Sequence, residues 1–192
     1  IADTSCYSFY PAKNLGAFGD AGLITTNNRS LYKKLLALRN LGATKKHKHS
    51  LMGLNSRLDT IQSVVLNTKL KSSLYLNEKR RKIAKYYDKF LYPIKQIKLT
   101  KTNKGSSRHL YVIRSKNRDK LIHYLAKKQI FCQIHYPYSL NKLPPIMKNI
   151  KKTKLKNSEK WANECISLPM DPKLSISNVR RITKEIKKFF TN

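Results

Sequence analysis

The chain is 192 residues long and 40% hydrophobic, with 41 Lys and Arg against 10 Asp and Glu, a net charge of +31. That length accommodates one domain, or a large-domain portion plus a small one, and the apolar fraction suffices for a core. No apolar run reaches membrane-spanning length and no signal peptide is visible. Three scattered cysteines, Cys6, Cys132 and Cys165, include no C-x-x-C pair, which argues against a zinc cluster or a disulfide framework and for reduced, buried thiols in a cytoplasmic protein.

The charge admits nucleic-acid or anionic-surface binding through phosphate neutralisation and counterion release. Against this, the lysines run from Lys33 to Lys188 among many Asn and Ile, and no zinc finger, RNP motif or arginine-rich arm is present. The charge is read as solvated faces, and specific nucleic-acid binding is not expected. Residues 1–28 depart from the rest. They hold one basic residue, Lys13, and two acids, Asp3 and Asp20.

In chain order, residues 6–10 have a strand composition, Pro11 ends the strand, and Gly16, Gly19 and Gly22 allow tight turning before a second strand over 23–26. Lys13 therefore falls on a loop between strands. Lodged in protein and desolvated, its amine would be nucleophilic; the alternative is an ordinary loop lysine. Leu31, Leu35 and Leu38 at helical spacing follow the capping-competent Asn28-Arg29-Ser30, and Asn40-Leu41-Gly42 stops that helix. Residues 43–50 read as a polar basic loop, with His47 and His49 solvated for want of a third metal ligand. After a loop at 53–57, a long helix is predicted over 58–91, with Leu58, Ile61, Val65, Leu66, Leu70 and Leu74 as its apolar face and Pro93 beyond its end.

A polar connection over 94–108 includes a short strand at 97–99. A strand at 109–113, a helix at 118–128 with Leu121, Ile122 and Leu125 inward, and a strand at 130–136 form a small α/β unit. Leu143-Pro144-Pro145 opens an irregular segment, and 148–156 is basic and mobile. A helical turn surrounds Trp161, and 167–170 is extended. Ile176, Val179, Ile182, Ile186 and Phe189 mark a closing amphipathic helix.

Several separated stretches carry a family resemblance. Ser8-Phe9-Tyr10-Pro11-Ala12-Lys13-Asn14-Leu15-Gly16, continued by Gly19-Asp20-Ala21-Gly22, resembles the lysine motif of the DegT/DnrJ/StrS aminotransferases. Leu36-Ala37-Leu38-Arg39-Asn40-Leu41-Gly42 resembles their "LRNHG" segment, and Gly53-Leu54-Asn55-Ser56-Arg57-Leu58-Asp59-Thr60-Ile61-Gln62 their "GYNSRLDELQ". Ile134-His135-Tyr136-Pro137 and Ser167-Leu168-Pro169-Met170 are similar to the C-terminal landmarks. The order of the motifs is also that of the family.

The resemblance implies an α/β fold, the C-terminal part of a fold-type I PLP-dependent aminotransferase. Residues 1–57 would be the end of the large PLP-binding domain, 58–91 the linking helix and 92–192 the small α/β domain. It implies pyridoxal 5′-phosphate carried as a Schiff base on Lys13, with Ser8 on its phosphate and Asn55 reaching a neighbouring subunit's phosphate. Arg57 would pair with phosphate or with an acid, or form an ordinary structural salt bridge. His135 and Tyr136 match a segment near the sugar, though a strand end packed into the core explains them equally. The implied reaction moves an amino group, usually from glutamate, to a nucleotide-linked keto-sugar. The implied partner is a second copy or a separately encoded N-terminal half.

There are departures. The family's pyridine-pairing aspartate lies well upstream of the lysine, and Asp3 is too close to be it. The upstream phosphate-binding turn and ring-stacking residue have no counterpart, and Ser63-Val64 replaces a small alanine pair. With Ile1 leading almost directly into the lysine motif, the expectation is a C-terminal fragment, inactive by itself. A non-catalytic remnant and a basic regulatory protein that binds nucleic acid are the alternatives.

Overall fold

The computed structural model describes residues 2–103, 105–148 and 154–191. The chain forms two compact units, divided between Leu74 and Tyr75.

In the first unit, strands β1 (Thr4–Ser8) and β2 (Gly22–Thr26) pair antiparallel, from Thr4 opposite Thr26 to Ser8 opposite Gly22. The chain between them is the expected loop carrying Lys13. Helix α1 (Arg29–Leu38) begins where the Asn28 side-chain oxygen accepts from the Leu31 amide at 3.0 Å. Beyond its last residue, Gly42 at φ 76° donates its amide to the Ala37 carbonyl (2.8 Å) and closes the C-terminus. A Cβ on Gly42 would meet the Leu51 carbonyl oxygen at 1.7 Å, so glycine is required here.

Residues 43–50 are not the predicted loop. They form a hairpin of β3 (Ala43–Lys45) and β4 (Lys48–His49), turned by His47 at φ 60°. The turn uses a left-handed residue that is neither Gly nor Asn, so the usual hairpin signal is missing. His49 Nδ1 lies 2.9 Å from the Leu41 carbonyl oxygen. Cys6, expected to be buried, is exposed on β1, which pairs with β2 in a two-stranded ladder.

Helix α2 runs Thr60–Leu91. The part within the first unit does not bury its predicted apolar face. Leu66 is buried, but Ile61, Leu70 and Leu74 are exposed.

The second unit is built on a three-stranded antiparallel sheet of β5 (Lys98–Leu99), β6 (Tyr111–Arg114) and β7 (Cys165–Leu168), with β6 central. Helices α3 (Arg118–Lys127) and α6 (Ile176–Thr191) cover it with the rest of α2. The core joins Ile83, Tyr87 and Leu91 of α2, Ile113 of β6, Leu121 and Leu125 of α3, Ile166 of β7, and Val179, Ile182 and Ile186 of α6. Burying apolar side chains from every layer in this way is the main stabilising term of the unit. Tyr87 stacks on Tyr111 at 4.6 Å between ring centroids, and Tyr111 donates to Asp88 at 2.6 Å.

The predicted strand at 130–136 does not form. Gln133 makes an isolated bridge to Ser167 on the free edge of β7, and no ladder extends from it among the described residues. The sheet's third strand is β7 instead. Between α3 and β7 lie a 3-10 turn (Leu140–Lys142), α4 (Pro144–Met147) and α5 (Lys156–Glu164), the last longer than the predicted turn around Trp161. Of the basic segment expected over 148–156, residues 149–153 lie outside the described residues.

Candidate functional site

The β1–β2 connection is held in one shape by its own backbone. The Phe9 amide donates to the Ala21 carbonyl at 2.9 Å, the Ala17 amide to the Phe9 carbonyl at 2.8 Å, and the Lys13 amide to the Tyr10 carbonyl at 2.8 Å. Gly16 is forced by this closure, since a Cβ there would sit 2.3 Å from the Pro11 carbonyl oxygen. Lys13 stands at the turn and is half-buried, not fully enclosed.

Beside it lies a cleft of about 700 Å³, lined by Ser8, Tyr10, Lys13, Asp20, Arg39 and Arg57 among others. Three cationic side chains face one carboxylate there, which leaves the cleft with two net positive charges. Such a concave cationic site with a hydroxyl at its rim suits a doubly charged anion.

The arginine side of the cleft is set by two loops zipped together. The Leu54 amide donates to Leu38 (2.8 Å), the Leu41 amide to Leu54 (3.0 Å), and the Ser56 amide to Arg39 (2.9 Å). Arg57 spans this junction, donating through Nε to Asn55 Oδ1 at 3.0 Å and through Nη1 to Asn40 Oδ1 at 3.3 Å. The expectation of an acidic partner for Arg57 gives way to two neutral amide oxygens. They orient the guanidinium without cancelling its charge, because an amide dipole satisfies the donors but carries no net charge.

Ser8, Lys13 and Arg57 thus meet in one cleft. Asn55 stands next in sequence to the lining residue Ser56 and is engaged by Arg57. His135 and Tyr136 belong to the second unit. They line a separate hollow of about 810 Å³ with Tyr138, Leu140, Ser158 and Trp161. His135 Nδ1 is 2.8 Å from Ser167 Oγ and Tyr136 is exposed, so neither ends a strand packed into the core.

The lining also includes Arg39 and Asp20, to which sequence reasoning assigned no role, although both sit inside recognised motifs. Among the described residues, no group of His, Cys, Asp and Glu could hold a metal, and no helix is long and apolar enough to cross a membrane.

Residues 1–187 match the DegT/DnrJ/EryC1/StrS aminotransferase family. The chain is 34% identical over 196 residues to a pleiotropic regulatory protein of Geobacillus stearothermophilus, covering 99% of this chain and 52% of that protein. It is 36% identical over 194 residues to dTDP-3-amino-3,6-dideoxy-alpha-D-galactopyranose transaminase of Aneurinibacillus thermoaerophilus, covering 98% of this chain and 52% of the other. Among solved structures, DesV of S. venezuelae in complex with a ketimine intermediate superposes with a TM-score of 0.91 at 32% identity, over 97% of this chain and 51% of that one. The chain therefore spans about half the length of the curated relatives it matches. Its architecture is the C-terminal part of a fold-type I PLP-dependent aminotransferase, and the chain belongs to the DegT/DnrJ/EryC1/StrS aminotransferase family.

Proposed function

We propose that this chain supplies the lysine-bearing half of a pyridoxal 5′-phosphate site that aminates a nucleotide-linked keto-sugar. The observation that carries the reading is the single cleft in which Lys13, Ser8, Arg39 and Arg57 converge with two net positive charges. These residues fit the cofactor, whose phosphate calls for a cationic, hydroxyl-lined rim and whose aldehyde calls for one accessible amine. In this reading residues 1–57 are the end of the cofactor-binding large domain, 58–91 the linking helix and 92–192 the small domain.

When bound, pyridoxal 5′-phosphate supplies an electrophilic carbonyl carbon and an electron sink. Lys13 provides the amine that captures it and, when free, a base whose Nζ accepts and returns a proton. Ser8 donates its hydroxyl, and Arg57, held by two asparagine oxygens, presents a pre-aimed cation to phosphate. Asn55 orients Arg57 within its own chain and is open to a second role toward a neighbouring subunit. His135 and Tyr136 are proposed as contacts to the sugar nucleotide from the small domain. Glutamate is the proposed amino donor, and a second copy or a polypeptide equivalent to the relatives' N-terminal half the proposed partner. The chain by itself is expected to capture the cofactor without completing turnover.

Titration with pyridoxal 5′-phosphate, followed by visible absorption, tests this reading. A saturable band absent from Lys13→Ala, with no ketoacid formed from glutamate, is expected. A band of equal size in both proteins would contradict it.

A further inference from the structure

The loop that carries Lys13 is fixed on its far side by helix α2. Gln62, Leu66 and Lys69 are spaced four and three residues apart, so they share one helical face, and the loop residues 16–19 lie on it. Gln62 Oε1 accepts two consecutive backbone amides, Phe18 at 2.8 Å and Gly19 at 3.1 Å. Lys69 Nζ donates to the Gly16 carbonyl oxygen at 2.7 Å and sits 5.0 Å from the centroid of the Phe18 ring. Ala17, between these bonds, is 1% exposed, and Leu66, between the two clamping side chains, is buried. A Cβ on Gly19 would come within 3.1 Å of Gln62 Nε2, so a larger residue there would press on the Gln62 amide.

Each contact has a chemical purpose that a generic surface residue would not serve. Adjacent amides of a tight turn point the same way and have no carbonyl to receive them. One side-chain oxygen with two lone pairs satisfies both. The lysine takes the carbonyl exposed on the same turn and covers Phe18 with its charge. The Phe9–Ala17 backbone bond then joins this fixed arm to the turn that presents Lys13.

We infer that Gln62 and Lys69 are positioning residues for Lys13, a two-point clamp that sets the loop and through it the aim of the lysine amine into the cationic cleft. Its meaning for catalysis rests on the proposed role of Lys13 as the cofactor lysine, but its effect on Lys13 is measurable without any cofactor. Loosening the clamp should let Lys13 behave like an exposed loop lysine such as Lys46.

The test uses the 192-residue chain with Gln62→Leu, Lys69→Met and Lys69→Arg, and with Lys71→Met as a control for charge loss at an exposed lysine of the same helix. Amide hydrogen exchange at Phe18 and Gly19 reads the clamp itself. Competitive acetylation with acetic anhydride at one pH, mapped by peptide mass, reads the accessibility of Lys13. Gln62→Leu should speed exchange at Phe18 and Gly19 by about tenfold, the factor expected for loss of a locally stabilising pair of hydrogen bonds. It should also raise the acetylation rate of the half-buried Lys13 to that of the exposed Lys46. Lys69→Met should do the same more weakly, with Lys69→Arg restoring the slower rate and Lys71→Met leaving it unchanged.

Faster exchange with an unaltered Lys13 acetylation rate would overturn the inference, leaving a merely structural contact, and so would unaltered exchange. Failure of the cofactor reading is a separate result. It would appear as no Lys13-selective capture of pyridoxal 5′-phosphate in the unsubstituted chain, whatever acetylation shows.

Discussion

The two units of the chain divide its labour unevenly. In the first, the buried apolar residues among those described are Ala17, Ala37 and Leu66, while Met52 is 97% and Leu74 79% exposed. In the second, one cluster runs from Ile83 to Ile186 through three helices and a sheet. The unit that carries Lys13 and the cationic cleft is the one with little core of its own. The first unit keeps its site ordered by polar means: backbone bonds across the loop, asparagines on Arg57, and Gln62 on two amides. Polar order of this kind is specific but individually modest in energy. Exposed apolar surface on the same unit invites association with another polypeptide surface.

That contrast is sharpest in truncation of equivalent leucines. Leu121 is fully buried, and Leu121→Ala should cost about 3 kcal/mol in urea denaturation. Leu23 is 48% exposed, and Leu23→Ala should cost under about 1 kcal/mol. A larger loss at Leu23 would mean that the first unit is buried in solution by another surface.

Thiol reactivity should divide the same way. Cys6 is exposed on β1, whereas burial pushes the Cys132 thiol up to about 12 and raises that of Cys165. The thiolate is the reacting form, so a disulfide reagent should label Cys6 at least about a hundredfold faster than the other two. Comparable rates would show that Cys132 and Cys165 are not shielded by a stable second-unit core.

A smaller effect is expected at the ion pair closing the sheet. Arg114 donates to Glu164 Oε2 from Nη2 at 2.7 Å and from Nε at 3.2 Å, and its guanidinium lies 5.5 Å from the Trp161 ring centroid. Glu164→Ala strands a half-buried cation and should cost about 2 kcal/mol, measured as a shift in the urea midpoint. No shift would mean that Trp161 alone holds Arg114.

The smallest effect is pH-dependent. Bonds from Lys188 (2.9 Å) and Tyr124 (2.9 Å) hold the Glu185 carboxyl below its usual range. A carboxylate depressed in the folded state adds stability above its unfolded value and loses it as pH falls through the folded one. Glu185→Gln should therefore be slightly less stable than the parent near neutrality, with the difference vanishing in acid. A difference that grows in acid would reverse the assignment.

Much of this was legible in the sequence, for identifiable reasons. The β1 and β2 strands, α1, α2 and α6 follow from composition, an asparagine cap and helical spacing, and the structure has them within a few residues. The 130–136 segment misled because its residues favour a strand, yet whether they pair depends on which sheet edge is free, and β7 fills that place with residues some thirty positions later. The apolar stripe of α2 was real as a pattern, but nothing in a sequence says whether a stripe is covered. In the site, Lys13, Ser8 and Arg57 were visible because they lie in motifs. Gln62 lay inside a quoted motif without a role, since its contact is to backbone amides 43 and 44 residues away. Lys69 was hidden among 41 basic residues, where a functional lysine has no compositional contrast.

The most direct measurement is borohydride reduction of the chain after brief exposure to limiting pyridoxal 5′-phosphate, followed by peptide mapping of the labelled lysines. Selective label at Lys13, well above exposed Lys46 and competed by inorganic phosphate, is the predicted result. Label spread over exposed lysines, with Lys13 no more reactive than the rest, would contradict the claim that the cationic cleft of the first unit is a cofactor site.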